Sequence, residues 1–96
     1  MKKMLINQKQ FEKKLYSSRY INGQLAVFVH GYRGEPIAEL SVLKNSVELA
    51  PDEFILKDYS ENETLAQEFI DSGLIVPLGR FILIGSHLCP ICKIEV

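Results

Sequence analysis

Four residues of this chain are of the types that ligate metals or exchange electrons: His30, His87, Cys89 and Cys92. Cys89 and Cys92 have the C-x-x-C spacing of a zinc knuckle, and both histidines together would complete a Cys₂His₂ set. In a strand, however, His87 and Cys89 point one way and Cys92 the other, and His30 would have to arrive from across a sheet. A redox C-x-x-C opens a helix that follows a strand, where the helix dipole lowers the thiolate pKa; here only a short tail follows. Two cysteines this close cannot staple a fold, and burial as small apolar side chains accounts for both. The acids Asp58, Glu61, Glu63 and Glu68 stand close enough to act as an acid–base pair, yet helix capping and solvation already explain them. Ser17, Ser18, Ser86 and His87 lack the strand–turn–helix setting of a nucleophile elbow, so no triad is assigned. Gly31-Tyr32-Arg33-Gly34 has no G-K-[ST] and no suitable helix after it, which excludes a phosphate loop. As a hairpin loop it offers Tyr32 and Arg33, residue types that anchor interfaces. The expectation is a protein that is not an enzyme and has no catalytic residue, cofactor or metal.

With no chemistry to follow, the charge layout carries more weight. The net charge is only −1 over 96 residues, but it is divided. Residues 1–20 hold six cations against Glu12, a local charge of +5, while residues 35–72 hold ten acids against Lys44 and Lys57, a local charge of −8. The acidic middle, with Asp58, Glu61, Glu63 and Glu68, suits a basic partner surface such as that of a nucleic-acid-binding protein. The basic segment interleaves Tyr16 and Tyr20 with Lys13, Lys14 and Arg19, a pattern that suits single-stranded nucleic acid. The sequence pI of about 6.1 weighs against that second reading. A chain of this length makes one domain, residues 1–96, with a modest core and little room for a deep cleft. The apolar run behind Lys2 and Lys3 is only Met4, Leu5 and Ile6, too short for a secretion signal, and no run is long enough to cross a membrane. A cytoplasmic location is the default expectation.

The element that must position these acids is a helix over residues 61–72. Ser60 and Glu63 have the spacing of a capping box, Leu65, Ala66, Phe69 and Ile70 make one apolar face, and Gly73 suits a left-handed stop. The rest reads as strand and turn. Residues 4–6 are a short strand. Residues 8–16 can be a short helix or 15–21 a strand, and Asn22-Gly23, read as a type I′ hairpin turn, favours the strand. Residues 25–30 make a strand apolar on both faces, hence central. Residues 37–43 alternate, with Ala38, Leu40 and Val42 inward and Glu39 and Ser41 outward. Further short strands are expected at 47–49, 54–56 and 74–76, a turn at 77–79, a strand at 80–84, a bend at 85–86 and a last strand over 88–96. The order predicts an α+β fold: a mostly antiparallel sheet of about five strands covered by one main helix. Assembly through an edge strand, at 54–56 or in the C-terminal strand, is a further option.

Three runs also share a pattern: Tyr20-Ile21-Asn22-Gly23-Gln24-Leu25-Ala26-Val27, then Gly34-Glu35-Pro36-Ile37-Ala38-Glu39-Leu40-Ser41-Val42, then Lys57-Asp58-Tyr59-Ser60-Glu61-Asn62. Over residues 20–80 the chain resembles a family of uncharacterised small proteins carried on bacterial phages, plasmids and conjugative elements. No catalytic residue comes with that resemblance. It implies a setting in which small acidic-faced proteins inhibit host defence by occupying a surface, as anti-CRISPR proteins do. The expected function is therefore a non-enzymatic protein-interaction module, with Asp58, Glu61, Glu63, Glu68, Tyr32 and Arg33 as partner-contacting residues. The alternative is a nucleic-acid-binding accessory protein that uses the basic N-terminal segment.

Overall fold

The computed structural model describes residues 3–6 and 13–95. Among these residues eight strands form two antiparallel sheets, not one. The first runs in chain order: β1 (Lys3–Ile6), β2 (Lys13–Arg19), β3 (Leu25–Gly31) and β4 (Pro36–Glu39). The second contains β5 (Ser41–Val42), β6 (Glu53–Leu56), β7 (Ile75–Ile84) and β8 (His87–Ile94), in the order β5-β6-β8-β7. One helix, α1 (Glu63–Asp71), follows a single 3₁₀ turn at Ser60–Asn62. The fold is α+β and antiparallel as expected, with the strands divided between two sheets.

Sequence periodicity explains the first sheet. Leu15 pairs with Val29, Ser17 with Val27 and Arg19 with Leu25. Leu15, Leu25, Val27 and Val29 are buried on the inner face, while Tyr16, Phe28 and His30 are half-buried on the other. The helix alternative for residues 8–16 is set aside where it can be checked, since Lys13–Tyr16 lie in β2; residues 8–12 lie outside the described residues. The hairpin at Asn22-Gly23 is present, but its turn is not type I′. Gly23 N–H donates to Tyr20 O, Gly23 alone has positive φ (+90°), and the Asn22 side chain accepts from Gln24 N–H. This is a type I turn closed by a left-handed glycine, the three-residue hairpin that twists its strands correctly without forcing Asn22 into a positive φ.

The expected strand over 37–43 breaks at a corner. Residues up to Glu39 pair with β3, and Ser41–Val42 pair with β6 in the other sheet. Between them Leu40 bonds both ways: its N–H donates to Val27 O at 2.8 Å, and its carbonyl accepts from Lys57 N–H at 2.7 Å. Ser41, expected outward, is buried, and its hydroxyl accepts from Val27 N–H at 2.8 Å. The hydroxyl thus takes over a bond that a straight strand would have made with its backbone. Alternation of apolar residues carries no mark of such a corner.

Three other expectations change. Residues 47–49 are loop, held by Gln24, whose side-chain amide bonds Lys44 N–H, Lys44 O and Val47 O. Pro77-Leu78-Gly79 is not a turn but a bulge inside β7: the register steps from Pro77–Cys92 to Arg80–Ile91, with Gly79 at φ +83°. Pro77 is tolerated because β7 is the end strand of its sheet. The strand at 54–56 and the C-terminal strand both lie inside the second sheet, so neither is an edge.

The helix is shorter than expected and differently capped. Ser60 has φ +56°, which rules out the extended conformation of an N-cap, and neither Ser60 nor Asn62 caps α1 through its side chain. The C-terminal end behaves as anticipated, with Ser72 N–H on Glu68 O, Gly73 N–H on Ile70 O and Gly73 at φ +85°. Ala66 and Phe69 are fully buried, with Leu65 and Ile70 packed at their flanks. One core cluster joins Leu15, Val27 and Val29 of the first sheet, Phe54, Leu56, Ile75 and Cys92 of the second, Leu40 at the corner, and the helix.

Candidate partner-binding face

The acidic residues singled out by sequence do not form one surface. Asp58 is half-buried behind β6, and its charge helps raise the Cys89 and Cys92 thiols. It therefore acts toward the interior. Glu61 is exposed, but Lys57 Nζ lies 3.0 Å from its Oε2 one turn away. Its own amide N–H, and then Lys57, hold the Glu61 carboxyl below the usual range. Glu68 is half-buried, with Oε1 3.9 Å from Lys13 Nζ at the start of β2. Glu63 alone of the four is exposed without a partner among the described residues.

Helical geometry shows what the residue-by-residue reading missed. Glu63, Gln67 and Asp71 stand at i, i+4 and i+8, and all three are exposed. They form the stripe opposite Ala66 and Phe69. Gln67 Nε2 donates to Asp71 Oδ1 at 2.8 Å, which holds that carboxylate in place. The last turn of α1 contains no basic residue. Asp71 therefore sits at the negative end of the helix dipole with no cation in its own turn to offset it. The i, i+4, i+8 spacing would have revealed this stripe.

Tyr32 and Arg33 occupy the two central positions of the turn between β3 and β4. Gly34 N–H donates to Gly31 O, and Gly34 has φ +85°, the same turn geometry as at Gly23. A Cβ at Gly31 would lie 2.3 Å from Glu35 Oε2, so a side chain there would displace the Glu35 carboxylate from the loop. Glu35 curls back over the loop and accepts from Arg33 N–H at 2.9 Å. Tyr32 is 70% exposed at the tip. Lys13 pairs with Gly31 across β2 and β3 and contacts Glu68, so the base of this loop lies beside the middle of α1. Asp58 and Glu61 lie at the other, N-terminal end of the helix.

The cations of β2 are largely committed to the fold. Lys13 faces Glu68, and Arg19 donates to Pro51 O at 2.7 Å across a shallow groove of about 820 Å³ that also contains Gln24, Glu53 and Arg80. In that groove Arg80 is paired with Glu53. The Tyr16 ring lies 4.2 Å from the His30 ring. Tyr20 OH is bonded to the Glu39 carboxylate and to Ser41 Oγ. Burial, then Glu39, pushes the Tyr20 phenol above its ordinary range.

The four potential metal ligands are dispersed. His30 is in the first sheet against Tyr16, and His87 stacks on Tyr59 at 3.8 Å in the second. Cys89 and Cys92 are buried free thiols. Among the described residues no three His, Cys, Asp or Glu side chains converge on a cation position.

Fold and surface together define a two-sheet antiparallel α+β domain with an acidic helix stripe and an exposed aromatic loop. Among known proteins, no family model, curated protein or solved structure matches this chain. No helix among the described residues is long and apolar enough to cross a membrane.

Proposed function

We propose that this chain is a small non-enzymatic protein-interaction module of a phage or mobile element that inhibits a host defence system, in the manner of anti-CRISPR proteins. Its partner presents a basic surface of the kind that nucleic-acid-binding effectors use, and the encounter takes place in the cytoplasm. The contact is made by the α1 stripe, Glu63 and Asp71 with Glu61 and Glu68 at its flanks, and by the Tyr32–Arg33 tip beside it.

The observation that carries this reading is the stripe itself. Asp71 stands where the helix dipole opposes it, at a cost of about 0.3–1 kcal/mol, and Glu63 has no cation nearby among the described residues. Glu63, in the first turn, is favoured by the dipole, but Asp71 lowers the stability of its own helix, and an acid placed so is accounted for by something outside the chain that gains from it. Electrostatic steering then sets the association rate and makes it salt-dependent. The nucleic-acid alternative draws on the basic N-terminal segment, of which Lys13, Arg19, Tyr16 and Tyr20 are engaged in contacts within the fold, Lys14 is half-buried on β2, and Lys2 and Lys9 lie outside the described residues.

The test is a defence-inhibition assay in the host, run with the natural chain and with Glu63→Lys/Asp71→Lys. Inhibition by the natural chain and its loss in a variant with an unchanged circular dichroism spectrum are the expected results. Full inhibition by the variant would sink the placement on α1. Tight, salt-dependent binding of single-stranded DNA or RNA by the purified chain, with no inhibition, would favour the alternative.

A further inference from the structure

Natural sheets guard their edges, and this one leaves a single stretch unguarded among its described edges. The outer strands of the first sheet, β1 and β4, are each four residues long, β4 begins with Pro36, and β5 of the second sheet has two residues. The first part of β7 carries Pro77 and the Gly79 bulge. Proline, bulges and short length all discourage edge pairing. The second part, Arg80 to Ile84, has none of these. From Phe81 through Cys92 the chain has no Asp, Glu, Lys or Arg. Arg80, the nearest charge, is turned onto Glu53.

The hairpin geometry says which backbone groups of this stretch are free. β7 and β8 are joined by Gly85-Ser86, and Gly85 has φ +61°, as the first position of a type II′ turn requires. Ile84 and His87 flank the turn, so they form a hydrogen-bonded pair. Alternation then makes Ile82–Cys89 and Arg80–Ile91 bonded pairs, and Leu83–Leu88 and Phe81–Pro90 non-bonded ones. Pro90, which has no N–H, falls on a non-bonded pair, consistent with this assignment. Phe81 and Leu83 therefore aim their N–H and C=O groups outward, along an edge that no strand covers among the described residues. Their side chains are 58% and 61% exposed, and Leu88, directly opposite Leu83, is 62% exposed on the same face.

We propose that β7 is a self-association edge, on which a second copy of this chain pairs antiparallel about a two-fold axis at Ile82. The match is to itself because the edge is self-complementary. Centring on Ile82 sets Phe81 of one copy opposite Leu83 of the other, so each outward N–H meets an outward C=O. The same register joins Phe81, Leu83 and Leu88 of both copies into one apolar face, with aromatic–aliphatic pairs across the seam. A charged partner finds nothing to pair with here. The isologous arrangement also closes at two copies, so it produces a dimer and no filament. At roughly 100 Å² of exposed apolar surface for each of these three side chains, a copy contributes well under the ~800 Å² of a standard interface partner. The dimer is accordingly reversible and concentration-dependent. It leaves α1 free and does not rest on the function proposed above.

Sedimentation equilibrium from micromolar to about millimolar chain should show the natural protein moving from one copy to two. Phe81→Lys/Leu83→Lys, both at exposed positions, should stay monomeric throughout with an unchanged circular dichroism spectrum. Amide hydrogen exchange read by NMR is the specific measurement. At the high concentration Phe81 and Leu83 should slow by about tenfold or more, while Ile82, already bonded to β8, changes little. A natural chain that stays monomeric at millimolar concentration overturns the proposal. So does a dimer in which the Phe81 and Leu83 amides exchange as fast as in the monomer, since that dimer uses another surface. If the double-lysine variant fails to fold, the exchange measurement on the natural chain decides alone.

Discussion

Asn62 shows how one polar side chain can hold the acidic region to the sheets. It is 1% exposed, and its Nδ2 donates to Glu39 O at 2.8 Å and Lys57 O at 3.1 Å. Those carbonyls belong to segments that end β4 and follow β6, so a single amide ties both sheets to the start of α1. Asn62→Ala leaves two carbonyls without their donor and should cost about 2–4 kcal/mol in urea unfolding. A loss under about 0.5 kcal/mol would show that water replaces the amide freely. Cys92 provides a pH test. Burial, then the Asp58 charge, pushes its thiol from an ordinary value of 9.0 up to about 12. The unfolded thiol ionises above pH 9 while the folded one keeps its proton, so the folded state binds more protons between about 9 and 12 and stability falls as pH rises through that window. Tyr20 and Cys89 are raised as well and add to the decline. Urea midpoints at pH 8 and pH 10.5 should differ less for Cys92→Ala than for the natural chain; an equal drop would remove the thiol from the account. The burial of Cys92 was legible in its residue type. The roles of Asn62 and Ser41 were not, because an amide or hydroxyl that bonds backbone carbonyls or amides from distant segments has no local pattern.

At the scale of elements, the helix makes the clearest prediction. Asp71 lies in the last turn of α1, which contains no basic residue. Asp71→Lys should therefore stabilise the protein by about 0.3–1 kcal/mol in low salt, and the gain should shrink as salt is added. Thermal unfolding at two ionic strengths checks it, and a destabilised variant would mean that the Gln67 bond to Asp71 matters more than the dipole. The same substitution weakens inhibition if α1 is the partner face, so stability and function should move in opposite directions. Elements with their own periodicity were read well: the apolar face at Ala66 and Phe69, the core side of β3 at Leu25, Val27 and Val29, and the stop at Gly73 all stand where expected. What failed were features decided by a neighbour. Pro77 and Gly79 look like a turn in isolation, yet β8 holds both sides of them in one ladder. Asn22-Gly23 marked the hairpin but not its turn type, because Asn22 gains more by bonding Gln24 N–H than by adopting positive φ. The acidic site was half legible for a related reason: composition located the acids and the four-residue spacing of Lys57 and Glu61 is visible in the sequence, but Lys13 reaches Glu68 from a position that only the fold brings near.

Across the whole molecule, the two sheets are one cooperative unit, and Leu40 is where that can be tested. The residue is fully buried in the shared cluster, its N–H bonds Val27 in the first sheet, and its carbonyl accepts from Lys57, which follows β6 of the second. Two sheets joined only by a connecting segment would unfold in sequence. Here Leu15, Val27 and Val29 pack in the same cluster as Phe54, Leu56 and Phe69, so opening either sheet exposes the core of the other. Leu40→Ala keeps the backbone bonds and removes the side chain from the junction, which should cost about 2–5 kcal/mol. Native stability of a domain this size is on the order of 5–10 kcal/mol, so the variant should remain folded but marginal. Cooperativity should survive the loss. Far-ultraviolet circular dichroism, which reports all the strands, and tyrosine fluorescence, which is weighted to the first sheet by Tyr16, Tyr20 and Tyr32, with Tyr59 after β6 as the fourth emitter, should give coincident urea transitions in both proteins. Separation of the two curves in the natural chain would show the sheets to be independent. Separation only in Leu40→Ala would mean that this one side chain, and not the wider cluster, couples them.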